Sequence, residues 1–327
     1  MKHISILVPR GHFSMVNLEG THQMLSFVNE FLGQQGKEPI FKIQLVGLTS
    51  PTTQTNGLFT VNPDALIADI QQTDLIILPA LHGDLKANLE LNKGLDKWII
   101  ERYKEGAEIV SLCIGSFFLA STGILNGKEC ATHWRSAGQF RAMFPEVTLL
   151  DDKIITESEG IYTSGGAYSF TNLIIYLIEK YAGREIAIVA AKTFMIDIER
   201  NSQSPFIMFV GQKEHNDKEI LHAQDYIENN FKEKLTVDEL ADKLNVGRRT
   251  FERRFKKATC NTVIEYIQRV KIEAAKKQLE TGRKTVAEVM FEVGYTDTKA
   301  FRDVFKKISG MSPVDYRNRY NKAAAVL

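Results

Sequence analysis

The sequence predicts an α/β unit with a parallel sheet, followed by an all-α unit. Between residues 1 and 200, nearly continuous apolar strand-like segments alternate with helix-like segments. This alternation is typical of a parallel sheet that helices cover on both faces. From about residue 218 onward, only helical periodicity remains. The length of 327 residues also exceeds what one compact core usually organises, so two domains are expected.

The elements of the first part follow from apolar runs and helical spacing. Buried strands are predicted at 3–9, 41–47, 74–79 and 108–113, and a hairpin or two short strands at 154–166. Helices are predicted at 15–33, 64–71, 91–105, 116–121 and 168–181. Gly106 follows the third of these helices and is expected to end it.

The second part reads as a series of helices with recognisable start signals. Thr236 and Glu239 have the spacing of a capping box, and Ser312-Pro313 places a cap before a proline at the first helical position. The predicted helices are 218–230, 236–244, 247–258, 262–281, 285–293, 297–308 and 313–320. A polar, turn-rich stretch precedes them. We therefore predict domains at 1–199 and 218–327, joined by a linker at 200–217.

Composition excludes several classes of protein. A hydrophobic content of 44% is that of an ordinary globular chain, and no apolar run approaches the length of a membrane helix. The N-terminus enters directly into a strand-like run and shows no signal-peptide pattern. The three cysteines, Cys113, Cys130 and Cys260, are too few and too scattered for a disulfide framework. We therefore expect a cytoplasmic protein with no membrane partner.

The charge is distributed unevenly along the chain. Residues 1–210 hold 17 Lys and Arg against 22 Asp and Glu, a net charge of −5. Residues 211–327 hold 24 against 18, a net charge of +6. A basic last third suggests a polyanionic partner, although a solvated helical surface would also explain it.

The helical part contains an internal repeat. Residues 236–257 and 285–307 both read Thr-Val-x-Glu-hydrophobic, then a turn, then Phe-x-x-x-Phe-Lys-Lys. Phe251 and Phe255 share one helical face, as do Phe301 and Phe305. Each copy is a short helix, a tight turn and a second helix, which is the pattern of a helix-turn-helix motif.

With these motifs, residues 218–320 resemble the DNA-binding domain of the AraC family of transcription regulators. The stretch 293–317 is especially similar to the family signature. The resemblance implies two helix-turn-helix units joined by the long helix 262–281, with helices 247–258 and 297–308 in successive major-groove segments. Major-groove segments on one face of DNA lie roughly 34 Å apart, and a helix of about twenty residues spans roughly 30 Å.

Family position implies which side chains meet DNA, with double-stranded DNA as the partner. The assigned DNA-binding residues are Arg248, Arg249, Glu252, Arg253, Thr298, Lys299 and Arg302. Phosphate positioning or plain solvation is expected for Lys256, Lys257, Lys306 and Lys307. Two residues depart from the family. Asp303 stands where many relatives have arginine, and Cys260 replaces a helix-ending glycine, where we expect a small buried residue.

The α/β part carries a cysteine at a strand-to-helix turn. Ser111-x-Cys113-x-Gly115 has the shape of a nucleophile elbow, and the following helix N-terminus is expected to favour the thiolate. The stretch 123–134, which ends in His133-Trp134, follows. With these motifs, residues 1–195 resemble the PfpI-type, class I glutamine-amidotransferase-like fold, which implies a flavodoxin-like parallel-sheet sandwich. In regulators of this kind the PfpI-type domain precedes an AraC-type domain, as it does here.

The resemblance leaves the role of Cys113 open. Hydrolytic members of the family pair the cysteine with a histidine and an acid, so Cys113 and His133 are the candidate catalytic residues, in a site that we expect to be vestigial. The acid position falls at Asn17, beside Glu19, and an amide cannot accept the proton. Cys113 is therefore an inherited elbow residue of a sensing or dimerising domain, a redox or electrophile sensor, or a hydrolytic nucleophile.

Ligands of open α/β sheets bind beyond the carboxyl ends of the strands. The residues expected to gather there form the predicted ligand-binding set: Asn17, Glu19, His82, Cys113, Ile114 and His133. The remaining histidines have no metal-ligand spacing, so neither a metal nor a cofactor is expected.

The sequence as a whole predicts a sequence-specific transcription regulator rather than an enzyme. Its α/β domain is expected to sense an unknown small-molecule effector, to form a homodimer, or to do both. The alternative is a cysteine-dependent PfpI-type hydrolase or amidase with an accessory DNA-binding domain.

Overall fold

The computed structural model describes residues 1–54 and 56–321. Contacts divide the chain into two compact units, Met1–Gln203 and a second unit that begins at Ser204. This division lies inside the stretch 200–217 that the sequence marks as a linker. The predicted end of the second domain, residue 327, lies outside the described residues.

The first unit contains every strand of the described chain and seven helices. The strands are β1 (Lys2–Val8), β2 (His12–Phe13), β3 (Phe41–Gly47), β4 (Thr52–Thr53), β5 (Thr60–Val61), β6 (Ala65–Leu66), β7 (Leu75–Leu78), β8 (Leu81–His82), β9 (Glu108–Leu112), β10 (Glu129–Cys130), β11 (Thr148–Leu149), β12 (Ile155–Ser158) and β13 (Ile161–Ser164). The helices are α1 (Met15–Gln34), α2 (Leu85–Leu91), α3 (Leu95–Lys104), α4 (Gly115–Ser121), α5 (Ala137–Met143), α6 (Phe170–Ala182) and α7 (Arg184–Thr193).

Seven of these strands form the central sheet. Their order is β12-β13-β9-β7-β1-β3-β6. Every neighbouring pair is parallel except the hairpin β12-β13 at one edge. The parallel sheet predicted from the apolar strands is therefore confirmed.

The sheet is buried on both faces because its strands are apolar at successive positions. In β1, Ile6 belongs to the core that α1, α6 and α7 cover, whereas its neighbour Leu7 belongs to the core beneath α3, α4 and α5. Ile77 and Ile76 divide between the same two cores. Side chains of a strand alternate between faces, so a continuous apolar run supplies both layers.

One helix prediction in this unit is wrong, and another is correct only from Leu95 onward. The segment 64–71 forms the edge strand β6 and one 3-10 turn, Ile67–Asp69, because Ala65 and Leu66 pair with the end of β3. The segment 91–105 is not one helix. The chain begins α2 earlier, at Leu85, and breaks at Gly94, whose φ of 99° does not continue a right-handed helix.

The second unit consists of helices and one 3-10 turn, Ser204–Phe206, over its described residues. The helices are α8 (Lys218–Asn230), α9 (Val237–Lys243), α10 (Arg248–Thr259), α11 (Val263–Thr281), α12 (Val286–Glu292), α13 (Thr298–Ser309) and α14 (Pro313–Tyr320). The all-α fold predicted for this part is confirmed, and each helix begins within one residue of its predicted start.

The two copies of the repeat fold in the same way. Thr236 caps α9 and Thr285 caps α12, each in a reciprocal capping box with the glutamate three residues later. Phe251 and Phe255 are fully buried in a first core, and the second core holds the equivalent Phe301 and Phe305. The unit therefore contains two helix-turn-helix motifs, α9-α10 and α12-α13, each with its own core.

Cys260 ends α10 in a left-handed conformation, with a φ of 57°. Its side chain is exposed, so the expectation of a buried cysteine is wrong. The matching residue after α13 is Gly310, which takes the same conformation with a φ of 75°. The left-handed cap is therefore a shared feature of the two copies. The first copy forms it with a cysteine, which disfavours the left-handed conformation, where the second has glycine.

We expect Cys260→Gly to stabilise the second unit by about 1 kcal/mol, because a left-handed residue with a Cβ is strained relative to glycine. Hydrogen exchange of the α10 and α11 amides in the full chain measures this effect. Cys260→Ser, which keeps the Cβ, should leave exchange unchanged. Equal protection from serine and glycine would contradict the backbone explanation.

Candidate functional site

Two surfaces carry the residues that the sequence singles out, one in each unit. In the second unit, burial of the phenylalanine pairs orients α10 and α13. Phe251 and Phe255 point into the first core, so the opposite face of α10 is solvent-exposed. Phe301 and Phe305 orient α13 in the same way. All seven predicted DNA-binding residues lie on exposed positions: Arg248, Arg249, Glu252, Arg253, Thr298, Lys299 and Arg302.

Some cations of these helices already form ion pairs with carboxylates of the same chain, and others do not. Arg248 lies 3.0 Å from the Asp238 carboxylate and 3.4 Å from that of Glu252. Arg249 and Arg253 have no ion pair or hydrogen-bonded side chain within residues 1–54 and 56–321, and neither do two cations of α13, Lys299 and Arg302. These four cations are therefore available to an external anion.

Arg254 faces away from this surface. Its guanidinium donates to both carboxylate oxygens of Asp217, at 2.9 and 2.6 Å. These hydrogen bonds hold the pKa of Asp217 below its ordinary value. Asp217 also caps α8, so Arg254 fastens α10 to the start of α8.

The second copy is less basic than the first. Equivalent positions differ by 50 in number, since Phe251 corresponds to Phe301 and Cys260 to Gly310. On this register Arg253 corresponds to Asp303, which is exposed. Because the carboxylate replaces a cation, α10 is the more positively charged of the two helices.

In the first unit, the predicted elbow is present. The strand β9 ends at Leu112, and Cys113 follows with a φ of 54° before α4 begins at Gly115. A Cβ at Gly115 would lie 2.7 Å from the Pro79 carbonyl oxygen. The glycine therefore lets the elbow pack directly on the residue that follows β7.

The surroundings of Cys113 disfavour its thiolate form. Its side chain is only 5% exposed, and burial raises the pKa of the thiol to about 11 although the Ile114 backbone N–H donates to it. The expected stabilisation of the thiolate by the helix N-terminus is therefore wrong. Desolvation outweighs the few N–H groups of this short helix.

His133 is not positioned as a base for Cys113. Its Nδ1 accepts a hydrogen bond of 3.1 Å from the Arg135 backbone N–H. Burial, together with the charge of Arg135, lowers the pKa of His133. Over the part of the chain that the structure describes, no hydrogen bond joins the His133 ring to the Cys113 thiol.

The residue at the family's acid position is structural. Asn17 lies in the first turn of α1 and is 2% exposed. Its Oδ1 accepts a hydrogen bond of 3.2 Å from the Ala80 backbone N–H, just beyond β7. Glu19 is exposed on the same helix. Asn17 therefore anchors α1 to the carboxyl end of β7 and has no carboxylate to offer.

The other residues of the predicted ligand-binding set differ in how far they are exposed to solvent. Ile114 and His133 are half-buried, whereas His82 is exposed. His82 pairs across the β2-β8 ladder with His12, and their ring centroids are 5.1 Å apart. Although part of its side chain is exposed, desolvation of the ring by its neighbours, reinforced by the charge of His12, lowers the pKa of His82. Sequence reasoning missed His12 because the partner strand is two residues long.

A second missed residue connects His133 to the end of the unit. Gln203 is buried, and its Nε2 donates to the Thr132 carbonyl oxygen at 2.9 Å while its Oε1 accepts from the Trp134 N–H at 3.2 Å. One amide side chain thus holds the peptide groups on both sides of His133. A lone glutamine in a polar stretch gives no sequence signal for this role.

The same loop reaches the elbow through hydroxyl groups. Ser116 Oγ donates to Thr132 Oγ1 at 2.8 Å and lies 3.1 Å from the Cys113 carbonyl oxygen. A continuous hydrogen-bonded path therefore runs from Gln203 through Thr132 and Ser116 to the backbone of Cys113.

We expect iodoacetamide at pH 7.5 to alkylate Cys113 about 100-fold more slowly than the exposed Cys260, because only the thiolate reacts. The rate at Cys113 should rise as the pH approaches its pKa of about 11. Time-resolved mass spectrometry of the full chain measures both rates in one sample, with Cys260 as the internal reference. Equal rates at neutral pH would contradict the burial of the thiol.

Among residues 1–54 and 56–321, no three His, Cys, Asp or Glu side chains are grouped so that they could hold a metal ion. No helix of that part is both long and apolar enough to span a membrane.

Comparison with known proteins identifies both units. A model of the DJ-1/PfpI family matches residues 6–180, and a model described as a helix-turn-helix domain matches residues 240–319. The HTH-type transcriptional regulator GbdR of Pseudomonas aeruginosa is 23% identical over 310 residues, which are 94% of this chain and 82% of GbdR. ArgR, another HTH-type transcriptional regulator of that organism, is 24% identical over 223 residues, 68% of each chain.

A solved structure shares the fold. The crystal structure of an AraC family transcriptional regulator from Pseudomonas putida superposes with a TM-score of 0.51 at 17% identity, covering 59% of this chain and 100% of the other. The first family model spans more than half of the chain, and the helix-turn-helix match falls on the two repeated motifs. The chain therefore belongs to the DJ-1/PfpI family, and its C-terminal unit is an AraC-type helix-turn-helix domain.

Proposed function

We propose that this protein is a sequence-specific DNA-binding transcription regulator whose α/β unit responds to a small-molecule effector. The observation that carries the proposal is the pair of equivalent helices, α10 and α13, which each bury two phenylalanines and expose unpaired cations. The similarity to GbdR supports it, because the alignment extends over nearly the whole chain, both units included.

The two helices suit the major groove. An α-helix fits the groove of B-DNA, and successive grooves on one face lie roughly 34 Å apart. The linking helix α11 has 19 residues. At 1.5 Å per residue its length is roughly 28 Å, close to that separation. We assign base-edge contacts to Arg249, Glu252 and Arg253 of α10, and to Thr298, Lys299 and Arg302 of α13.

Other residues on these helices have different roles in the proposal. Arg248 is held by Asp238 and Glu252, so we assign it to phosphate positioning once DNA competes for it. The lysine pairs at the ends of the helices are exposed and also suit phosphate contact: Lys256, Lys257, Lys306 and Lys307.

The state of Cys113 disfavours the alternative of a cysteine hydrolase. A nucleophile needs a thiolate and a base within hydrogen-bond reach. Burial keeps the Cys113 thiol protonated at neutral pH, and His133 accepts its hydrogen bond from Arg135 instead. Asn17 supplies an amide where hydrolytic relatives use an acid. We propose that Cys113 is an inherited elbow residue beside an effector site.

The effector site lies, in this proposal, beyond the carboxyl ends of β7 and β9. Asn17, Cys113, Ile114 and His133 border it, and Glu19 and His82 form its exposed rim. Gln203 supports a link to DNA binding, because it holds the peptide groups around His133 and is the last residue before the second unit. An effector that displaces His133 would loosen this anchor.

A gel-shift experiment on DNA upstream of the neighbouring genes tests the class of protein. Binding of one fragment in preference to others of equal length, weakening steeply as salt rises, supports a regulator. Absence of any preferred genomic fragment, with helical circular dichroism intact, would contradict it. A cytoplasmic location is part of the same proposal, since the protein must reach the chromosome.

We also expect the full chain to sediment as a homodimer at micromolar concentration. The described part of each chain offers one pair of reading helices, and a symmetric dimer raises the effective concentration at a paired site. Analytical ultracentrifugation without DNA measures the state. A monomer across the micromolar range would contradict dimerisation. DNA binding would then be tested by the gel-shift experiment alone.

A further inference from the structure

The linking helix α11 passes from one core of the second unit to the other, and Lys271 marks the crossing. Residues up to Val270 pack in the first core, and Ile272 begins the part that packs in the second. Between them, Lys271 is only 8% exposed. A buried lysine at such a position needs polar partners, because a charged group is costly to remove from water.

Lys271 finds those partners in the loop that precedes the first helix-turn-helix motif and in the turn of the second. Its Nζ lies 3.4 Å from the Glu233 carbonyl oxygen, in the loop that leads into α9. It lies 3.2 Å from the carbonyl oxygen of Gly294, in the turn between α12 and α13. The Tyr295 ring covers it at 5.5 Å. Within the described chain no carboxylate pairs with Lys271, and burial lowers its pKa.

The backbone of the α8–α9 loop also closely approaches the turn of the second motif at this point. Gly294 has a φ of 77°, and a Cβ there would lie 2.2 Å from the Lys232 carbonyl oxygen and 2.7 Å from Lys271 Nζ. Phe231, beside Lys232, packs against both cores. One small junction therefore ties the loop that leads into the first motif to the turn of the second, and its members are Phe231, Lys232, Glu233, Lys271 and Gly294.

We propose that Lys271 is a positioning residue that sets the separation and angle of α10 and α13, and thereby the spacing of the two DNA segments that the protein reads. The proposal rests on the proposed function. It follows from electrostatics: one largely buried ammonium group holds a carbonyl dipole of the loop that leads into the first motif and another of the turn of the second. Two reading helices in a fixed relation match one spacing well and others poorly.

The first test measures the junction without DNA. Spin labels on Lys256→Cys and Lys306→Cys, in a Cys260→Gly background of the full chain, report the distance between α10 and α13 by pulsed electron resonance. We expect a narrow distance distribution for the parent and a broadened or shifted one for Lys271→Met. Lys277→Met is the matched control, because Lys277 is exposed on the same helix. A distribution that Lys271→Met leaves unchanged would overturn the proposal.

The second test measures spacing on a DNA site selected by the full chain. One inserted base pair between the two segments turns one relative to the other by about 34°. We expect the parent to lose at least about tenfold in affinity on insertion, and Lys271→Met to lose less than about threefold, since looser motifs adapt to either spacing. Lys271→Arg, which keeps the donors, should restore discrimination. Full discrimination by Lys271→Met would contradict the role.

The outcomes separate the two proposals. If the parent selects no DNA, the proposed function fails, whereas the spin-label distances still decide whether Lys271 sets the geometry. If Lys271→Met loses helical circular dichroism, Lys271→Gln, which retains a donor but no charge, takes its place in both tests. Unchanged distances and unchanged spacing preference for Lys271→Gln would equally overturn the inference.

Discussion

Replacing Arg253 or Arg249 by alanine is expected to weaken binding to the specific DNA site by about 1–3 kcal/mol each, which is about 5- to 150-fold. Both guanidinium groups are exposed on α10, opposite the buried Phe251 and Phe255, and the described residues leave them without ion pairs. An arginine at a guanine edge makes two hydrogen bonds to the base. In the complex of the alanine variant, we expect water not to restore them. Titration of a labelled site by fluorescence anisotropy measures the loss.

The control is Lys192→Ala, which removes one exposed cation from the α/β unit and should leave affinity within about twofold. Non-specific DNA distinguishes base reading from charge. The arginine variants should lose much less affinity for it than for the specific site. Equal losses on both DNAs would assign Arg249 and Arg253 to phosphate contact, and no loss on either would remove α10 from the interface.

Gly294→Ala is expected to destabilise the second unit by about 2–5 kcal/mol, the combined effect of a left-handed residue with a Cβ and of overpacking. The φ at Gly294 is 77°, and the added Cβ would collide with the Lys232 backbone, which cannot rotate away as a side chain could. The change also disturbs the junction around Lys271, so we expect specific DNA binding to disappear. Circular dichroism during urea unfolding measures the stability loss.

Gly247→Ala provides the matched control in the same unit. Gly247 caps α10 with an ordinary φ of −66°, and an added Cβ would meet no atom within 4 Å. Because alanine is a poorer N-cap than glycine, Gly247→Ala should lower stability by about 0.5–1 kcal/mol, well short of the loss expected for Gly294→Ala. If Gly294→Ala kept wild-type stability and DNA affinity, the close approach of Gly294 to Lys232 would not be required, and this prediction would be wrong.

The helices of the second unit were predictable because six of the seven described ones begin at a side-chain cap, and only α10 begins at a residue, Gly247, that offers none. Thr236 and Thr285 belong to capping boxes, and the Phe-x-x-x-Phe spacing identifies the buried face of α10 and α13 without tertiary information. The parallel sheet of the first unit was predictable from its apolar strands. A strand that is buried on both faces is apolar at every position and does not alternate between apolar and polar residues.

What the sequence did not predict depends on contacts between distant residues. The segment 64–71 was predicted as a short helix, yet pairing with the end of β3 makes residues 65–66 an edge strand. The elbow motif located Cys113, but the burial that raises its thiol pKa comes from packing that no local motif encodes. Gln203, His12 and Lys271 each act through a partner far along the chain, and a single side chain carries no sign of such a partner.

Guanine-methylation protection on a selected genomic fragment tests the central claim most directly, because N7 of guanine lies in the major groove. The full chain is predicted to protect two short segments on one face of the DNA, about one helical turn apart, with the segment under α10 protected more strongly. Arg253→Ala should lose protection in that segment alone. Protection of a single segment, or uniform protection that vanishes as salt rises, would contradict a protein that reads DNA with both α10 and α13.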